Sequence, residues 1–277
     1  MQLNEELPLS NRPRQDNGRS RAGSRLADDL VMGLRFFSRL PTGDRPHERP
    51  DLSRIARALP FTSMVIGLGP ALLLMGACWI GVPGFFAAAL AVAALVVAAG
   101  AMPEDALADS ADGLFGGATI ERRLEIMKDS RHGTYGVAAL CLYLVLRVAA
   151  LGSVAAVNPL AAGGIWLAAG VVARSGALWL SVDLPAAREG GASASVGRVT
   201  RGDFAIGTAF AAVLAFVLAA PFAGVVGLVL AGLAAAGVAW GWTWTCRRLL
   251  GGQTGDVIGA LHALIEVGVL TVFLIFV

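Results

Sequence analysis

Two long tracts of the chain carry no charged residue. Between Arg57 and Glu104 lie 46 residues without an Asp, Glu, Lys or Arg, and between Asp203 and Arg247 another 43. A helix needs about 20 apolar residues to cross a bilayer, so each tract has room for two crossings and a tight turn. The apolar runs are continuous, which excludes the alternating pattern of an outer-membrane barrel. Hydropathy predicts seven spans, near 58–80, 83–101, 135–157, 160–182, 204–220, 222–245 and 257–277, with Pro83, Pro159 and Pro221 at three short turns. Ahead of them Leu26, Leu30, Leu34 and Phe37 recur at helical spacing, with Asp28, Asp29 and Arg35 elsewhere on the cylinder. That predicts an amphipathic helix ending at Pro41, lying at the membrane surface or packed on the protein itself. The expected fold is an all-α integral membrane protein, about seven transmembrane helices preceded by an amphipathic interfacial helix.

Composition sharpens this picture. Only 15% of residues are charged, against about 25% in a soluble domain. With 22 basic and 20 acidic residues and a net charge of +2, nothing suggests nucleic acid as a partner. Cys78, Cys141 and Cys246 form no CxxC pair and no disulfide framework. The first 25 residues have the Arg/Asn/Ser/Pro/Gln composition of a disordered tail. No apolar run follows the early arginines at signal-peptide distance, so no cleaved signal is expected. The chain thus reads as a tail over 1–25 and a membrane domain over 26–277. The turns after the first, third and fifth spans hold no Lys or Arg, whereas the N-terminal segment alone holds 11 Arg. The positive-inside rule puts the N-terminus and the charged loops in the cytoplasm, in an inner-membrane, multi-pass topology. Gly237 and Gly241 have the spacing of a close helix contact, compatible with a homo-oligomer.

Chemistry concentrates in the loop around 102–134. Residues 104–131 hold seven acids and four bases. Asp105, Asp109 and Asp112 fall at i, i+4 and i+7, on one face of a helix. Carboxylates so close repel unless a cation sits among them. Mg²⁺, which takes a few carboxylates together with substrate phosphates, answers that need. Lys128 and Arg131 flank Asp129 and Ser130, and Gly133-Thr134 leads into a span, an arrangement suited to phosphate. Arg174 and Glu266 lie mid-span, where ionisable groups mark a site or a buried pair, and Arg174 is expected to face a cavity unless it pairs with Glu266. A Gly-rich turn, 251–256, carries Thr254 and Asp256 on the same side of the membrane.

These residues resemble the cobalamin synthase (adenosylcobinamide-GDP ribazoletransferase) family. The family pattern HxDGLADTADG reads PEDALADSADG at 103–113, RxLEIMKDSRxGTYG reads RRLEIMKDSRHGTYG at 122–136, and TGDVLGA with a downstream Glu reads TGDVIGALHALIE at 254–266. Ala187-Arg188-Glu189-Gly190 matches a further Ala-Arg motif, and FFSRLPTG at 36–43 matches the family's opening. Pro103 stands where the pattern has His, Ala106 where it has Gly, and His132 where it has a small or apolar residue. The resemblance implies attack by a ribose hydroxyl of α-ribazole, or of its 5′-phosphate, on adenosylcobinamide-GDP. GMP would leave, giving adenosylcobalamin or its 5′-phosphate, with Mg²⁺ as cofactor. It implies Asp105, Asp109 and Asp112 as metal ligands and catalytic groups, one of them taking the proton of the hydroxyl. Lys128, Arg131 and Arg174 would neutralise phosphate charge. Asp129, Ser130, Gly133, Thr134, Arg188, Thr254, Asp256 and Glu266 would contact substrate. Two other readings use similar residues: a CDP-alcohol phosphotransferase, whose Ala-Arg after the first Asp-Gly is missing at 105–117, and a cation-coupled transporter, which leaves the acidic loop without a role.

Overall fold

A computed structural model describes residues 26–43, 49–188 and 197–277. The tail read over 1–25 and the Glu189-Gly190 half of the Ala-Arg motif lie outside the described residues. The described chain is helical. Helix α1 spans Leu26–Phe37, α2 Leu52–Trp79, α3 Gly84–Ala99 and α4 Met102–Gly116. Then follow α5 Ile120–Ile126, α6 Thr134–Ala155, α7 Pro159–Ala177, α8 Trp179–Asp183, α9 Arg201–Leu250 and α10 Gly255–Phe273. Polar side chains cap the starts of several, satisfying backbone N–H groups that have no helical partner. Asp51 caps α2, Asn158 α7, Thr200 α9 and Thr254 α10.

Among the described residues five segments are long and apolar enough to cross a bilayer: α2, α6, Pro159–Asp183, α9 and α10. The bent pair α3–α4 makes a sixth if counted as one crossing. This differs from the expected seven at one place. The spans read at 204–220 and 222–245 correspond to the two arms of α9, which is broken by the non-helical backbone of Gly224 (φ 66°, ψ 176°) three residues after Pro221. The span read at 83–101 stops at Ala99, because Gly100 and Ala101 both take left-handed backbone (φ 65° and 55°) and turn the chain by 86° into α4. Sixteen residues of helix reach about 24 Å, short of the roughly 30 Å hydrocarbon core.

Helix α1 ends at Phe37, not Pro41, and it packs against the protein. Gly33 lies so close to Thr62 of α2 that a Cβ there would collide with the hydroxyl. Asp29 is buried, its carboxylate accepting a hydrogen bond from Arg54 Nε at 2.8 Å. Beyond it Ser38 Oγ donates to the Leu34 carbonyl, and the Arg39 amide donates to Ala98 O at the end of α3 (2.8 Å).

Helix α7 forms the centre of the bundle. Ala161, Ala162, Ile165, Ala168, Ala169 and Ala173 are fully buried, and small side chains of this kind let helix backbones approach closely. Charged side chains collect at one end of the bundle. There Arg57 pairs with Asp203, Arg247 with Asp183 and Arg188 with Asp256, while Arg123 Nη1 donates to Leu249 O. The opposite end is apolar, with Gly84 pressed against the backbone of Gly152 and Ala156. The three loops that carry the sequence motifs therefore meet on one side.

Candidate active site

Helix α4 delivers the aspartates. Its start is fixed by the strained Gly100–Ala101 elbow, where a non-glycine residue at positive φ costs conformational energy that the surrounding packing must supply. Its side is fixed by α10: a Cβ on Gly259 would overlap that of Ala106, so the two helices touch at the residue that departs from the family's glycine.

The three aspartates differ in what surrounds them. Asp112 is buried and both its oxygens are taken, Oδ2 by the Gly133 amide (2.6 Å) and Oδ1 by the Gly136 amide (2.8 Å). A Cβ on either glycine would collide with that carboxylate, which explains the glycines of GTYG. Asp112 thus holds the turn that opens α6. Asp105 and Asp109 remain available. The Asp105 carboxylate makes no hydrogen bond or ion pair among the described residues, and Asp109 meets only His132 Nδ1, at 3.9 Å. Asp105, Asp256 and Asp112 all lie close enough to act on Asp109 through their charges. Among the described residues no three His, Cys, Asp or Glu side chains converge as a complete metal cage.

The other predicted residues divide by position. Asp256 accepts from Thr254 Oγ1 (3.2 Å) and pairs with Arg188 (3.4 Å); Thr254 also caps α10. Arg131 forms a two-pronged clasp with Asp129, Nε to Oδ1 at 3.0 Å and Nη2 to Oδ2 at 2.7 Å. That guanidinium holds the exposed Asp129 carboxyl down at about 2. Lys128, Ser130 and Thr134 are exposed on the same loop. The loop stands beside Asp109 through His132, and none of these residues lines the chamber described next.

Asp105, Asp256 and Arg174 open onto one cavity of about 240 Å³, together with His262. Arg174 is only 6% exposed, yet its guanidinium makes no hydrogen bond or ion pair among the described residues. It does not pair with Glu266. That carboxylate is taken instead by Arg147 Nε (3.3 Å), Tyr143 Oη (2.6 Å) and Trp166 Nε1 (3.0 Å). Arg147 also binds Glu104 on α4 at 2.9 Å. This buried network joins α4, α6, α7 and α10 directly behind the cavity, and a small inner chamber between Arg174, His262 and Glu266 links the two. Sequence reasoning does not reach His262, Tyr143 or Trp166. The signal for His262 is its place four residues before Glu266, a polar pair on one face of an otherwise apolar span.

The family comparison agrees with the motifs. The model of the cobalamin-5-phosphate synthase family matches residues 29–274. The chain belongs to that family. Among similar cobalamin-5-phosphate synthase relatives, an adenosylcobinamide-GDP ribazoletransferase of Azorhizobium caulinodans is 43% identical over 91% of this chain and 97% of its own. One of Xanthobacter autotrophicus is 44% identical over the same shares, and one of a Sinorhizobium species 39% identical over 88% and 95%. No solved structure matches the chain.

Proposed function

We propose that this membrane protein is a transferase of the last steps of cobalamin synthesis. It joins adenosylcobinamide-GDP to α-ribazole or its 5′-phosphate, releases GMP and works from the cytoplasmic side of the inner membrane. The observation that carries the reading is the meeting of the unpartnered Asp105 carboxylate, the Asp256 carboxylate and an unpaired, buried guanidinium at one cavity in a chain of this family. A diphosphate brings negative charge for the guanidinium, and its metal ion brings positive charge for the carboxylates.

The residues fit Mg²⁺. Asp105 and Asp109 lack a cationic partner apart from the distant His132, and Asp256 adds an oxygen donor. Mg²⁺ commonly takes one or two protein carboxylates and completes its shell with phosphate oxygens and water, so a closed protein cage is not required. When bound it supplies charge neutralisation on the diphosphate. Asp105, Asp109 and Asp256 would hold it. Of these, Asp105 or Asp109 takes the proton of the attacking ribose hydroxyl. Arg174, held in a site screened from water, offsets charge that develops on the phosphate oxygens. Lys128 and the Asp129–Arg131 clasp, exposed at the rim, steer the anionic substrate toward the cavity.

Purified protein in lipid bilayers, given adenosylcobinamide-GDP and α-ribazole, is expected to release GMP in step with cobalamin. EDTA abolishes both. GMP without cobalamin would mean hydrolysis, and no GMP from folded protein would sink the reading.

A further inference from the structure

The 240 Å³ cavity is divided in its chemistry. Its inner and rim positions carry Arg174, Asp105, Asp256 and His262. The rest of its lining is mostly hydrocarbon, including Phe36 and Phe37 from α1, Leu178 at the α7–α8 junction and Ile258 of α10. The two phenylalanine rings stand 4.8 Å apart at 75°, forming a corner that presents one face and one edge, the arrangement in which a third aromatic ring packs well. The cavity falls below the roughly 300–1,000 Å³ of sites for drug-sized ligands. A corrin macrocycle does not fit it, whereas one fused ring with its sugar is of the right scale. Guanine would bury an amine, a ring N–H and a carbonyl against the hydrocarbon wall, at a cost that unpaired polar groups always carry. A benzimidazole offers hydrocarbon edges and a single ring-nitrogen acceptor.

We infer that this cavity is the acceptor subsite, seating the benzimidazole of α-ribazole against Phe36 and Phe37 with its ribose turned toward Asp105, Asp256 and Arg174. The assignment rests on the transferase reading above, and it makes the N-terminal helix part of substrate recognition. The placement is mechanically secure. Just past Phe37, the Arg39 amide is tied to Ala98, and the chain from Ala98 runs through the elbow into the aspartate helix. One junction thereby sets the spacing between the ring wall and the carboxylates.

Equilibrium dialysis of labelled α-ribazole against the protein in lipid nanodiscs tests this without requiring turnover. Phe37→Ala is expected to weaken α-ribazole binding about tenfold, while Phe37→Leu, which keeps an apolar wall, recovers most of it. Binding of adenosylcobinamide-GDP stays unchanged in both variants, which also shows them to be folded. An adenine ribonucleoside is expected to bind the wild-type protein about tenfold more weakly than α-ribazole, because its exocyclic amine meets the same wall. Unaltered α-ribazole binding in Phe37→Ala, or weakened donor binding, overturns the assignment, as does a wild-type protein that does not bind α-ribazole. A protein that binds both substrates and yet forms no product would overturn the transferase reading and leave the subsite standing.

Discussion

At the scale of single residues, similar side chains carry different duties according to what surrounds them. Asp105 and Asp112 lie seven positions apart on one helix, one without a hydrogen bond or ion pair among the described residues and the other accepting two backbone N–H groups. Their variants are therefore expected to fail differently. Asp105→Asn lowers turnover on the order of a hundredfold and shifts half-maximal Mg²⁺ to higher concentration, as loss of a ligand does. Asp112→Asn turns an N–H toward an N–H, weakening hydrogen bonds worth about 1.5–3 kcal/mol each. Its turnover falls with the Mg²⁺ titration midpoint unmoved, and a common midpoint shift in both variants would refute the division of roles. The Asp129–Arg131 clasp gives a pH expectation. Its acid is depressed from an ordinary value of 3.8 to about 2, so the clasp is complete above about pH 4 and is lost only as pH falls toward 2. The neutral-range pH–activity profile of Asp129→Asn should keep the wild-type shape at reduced height, as pH-dependent GMP release would record.

Elements explain how those residues meet. Arg147 bridges Glu104 of α4 and Glu266 of α10 at 2.9 and 3.3 Å, buried from solvent on all sides. Arg147→Met leaves two buried carboxylates without their cation, so about 3–5 kcal/mol of stability should be lost. Thermal unfolding in detergent would show it, and an unchanged midpoint would mean the network is not structural. Gly259→Leu forces α4 from α10 and should cost about 1–3 kcal/mol together with activity. Much of this architecture is legible in the sequence, because continuous apolar runs have few other uses. The charge-free tracts mark the spans, and the i, i+4, i+7 aspartates mark a helix face. What the sequence hides is pairwise and long-range. Whether Glu266 takes Arg147 or Arg174 depends on helix rotation, which hydropathy does not encode. For Asp256 to share a cavity with Asp105, α10 must lie against α4, and only the missing Cβ of Gly259 hints at it. The elbow at Gly100–Ala101 cuts short a run that composition alone carries through.

Across the whole molecule the polarity of the bundle is the dominant feature. Charged ends, motif loops and cavity share one side, while the other ends in close apolar contacts. In a background freed of its three unpaired cysteines, Lys128→Cys should react with a membrane-impermeant maleimide only from the cytoplasmic face. Val157→Cys, 88% exposed at the far end, should react only from the other; the reverse pattern would invert the topology. The cavity has a polarity of its own, since Asp105 and Asp256 are the more accessible and the Arg174 guanidinium lies deepest. A bare phosphate approaching it meets repulsion at the threshold, and a bare cation meets repulsion at the floor. A salt, the two charges travelling as one neutral body, finds both surfaces welcoming, so among charged species the polar end of the chamber favours those that arrive in pairs.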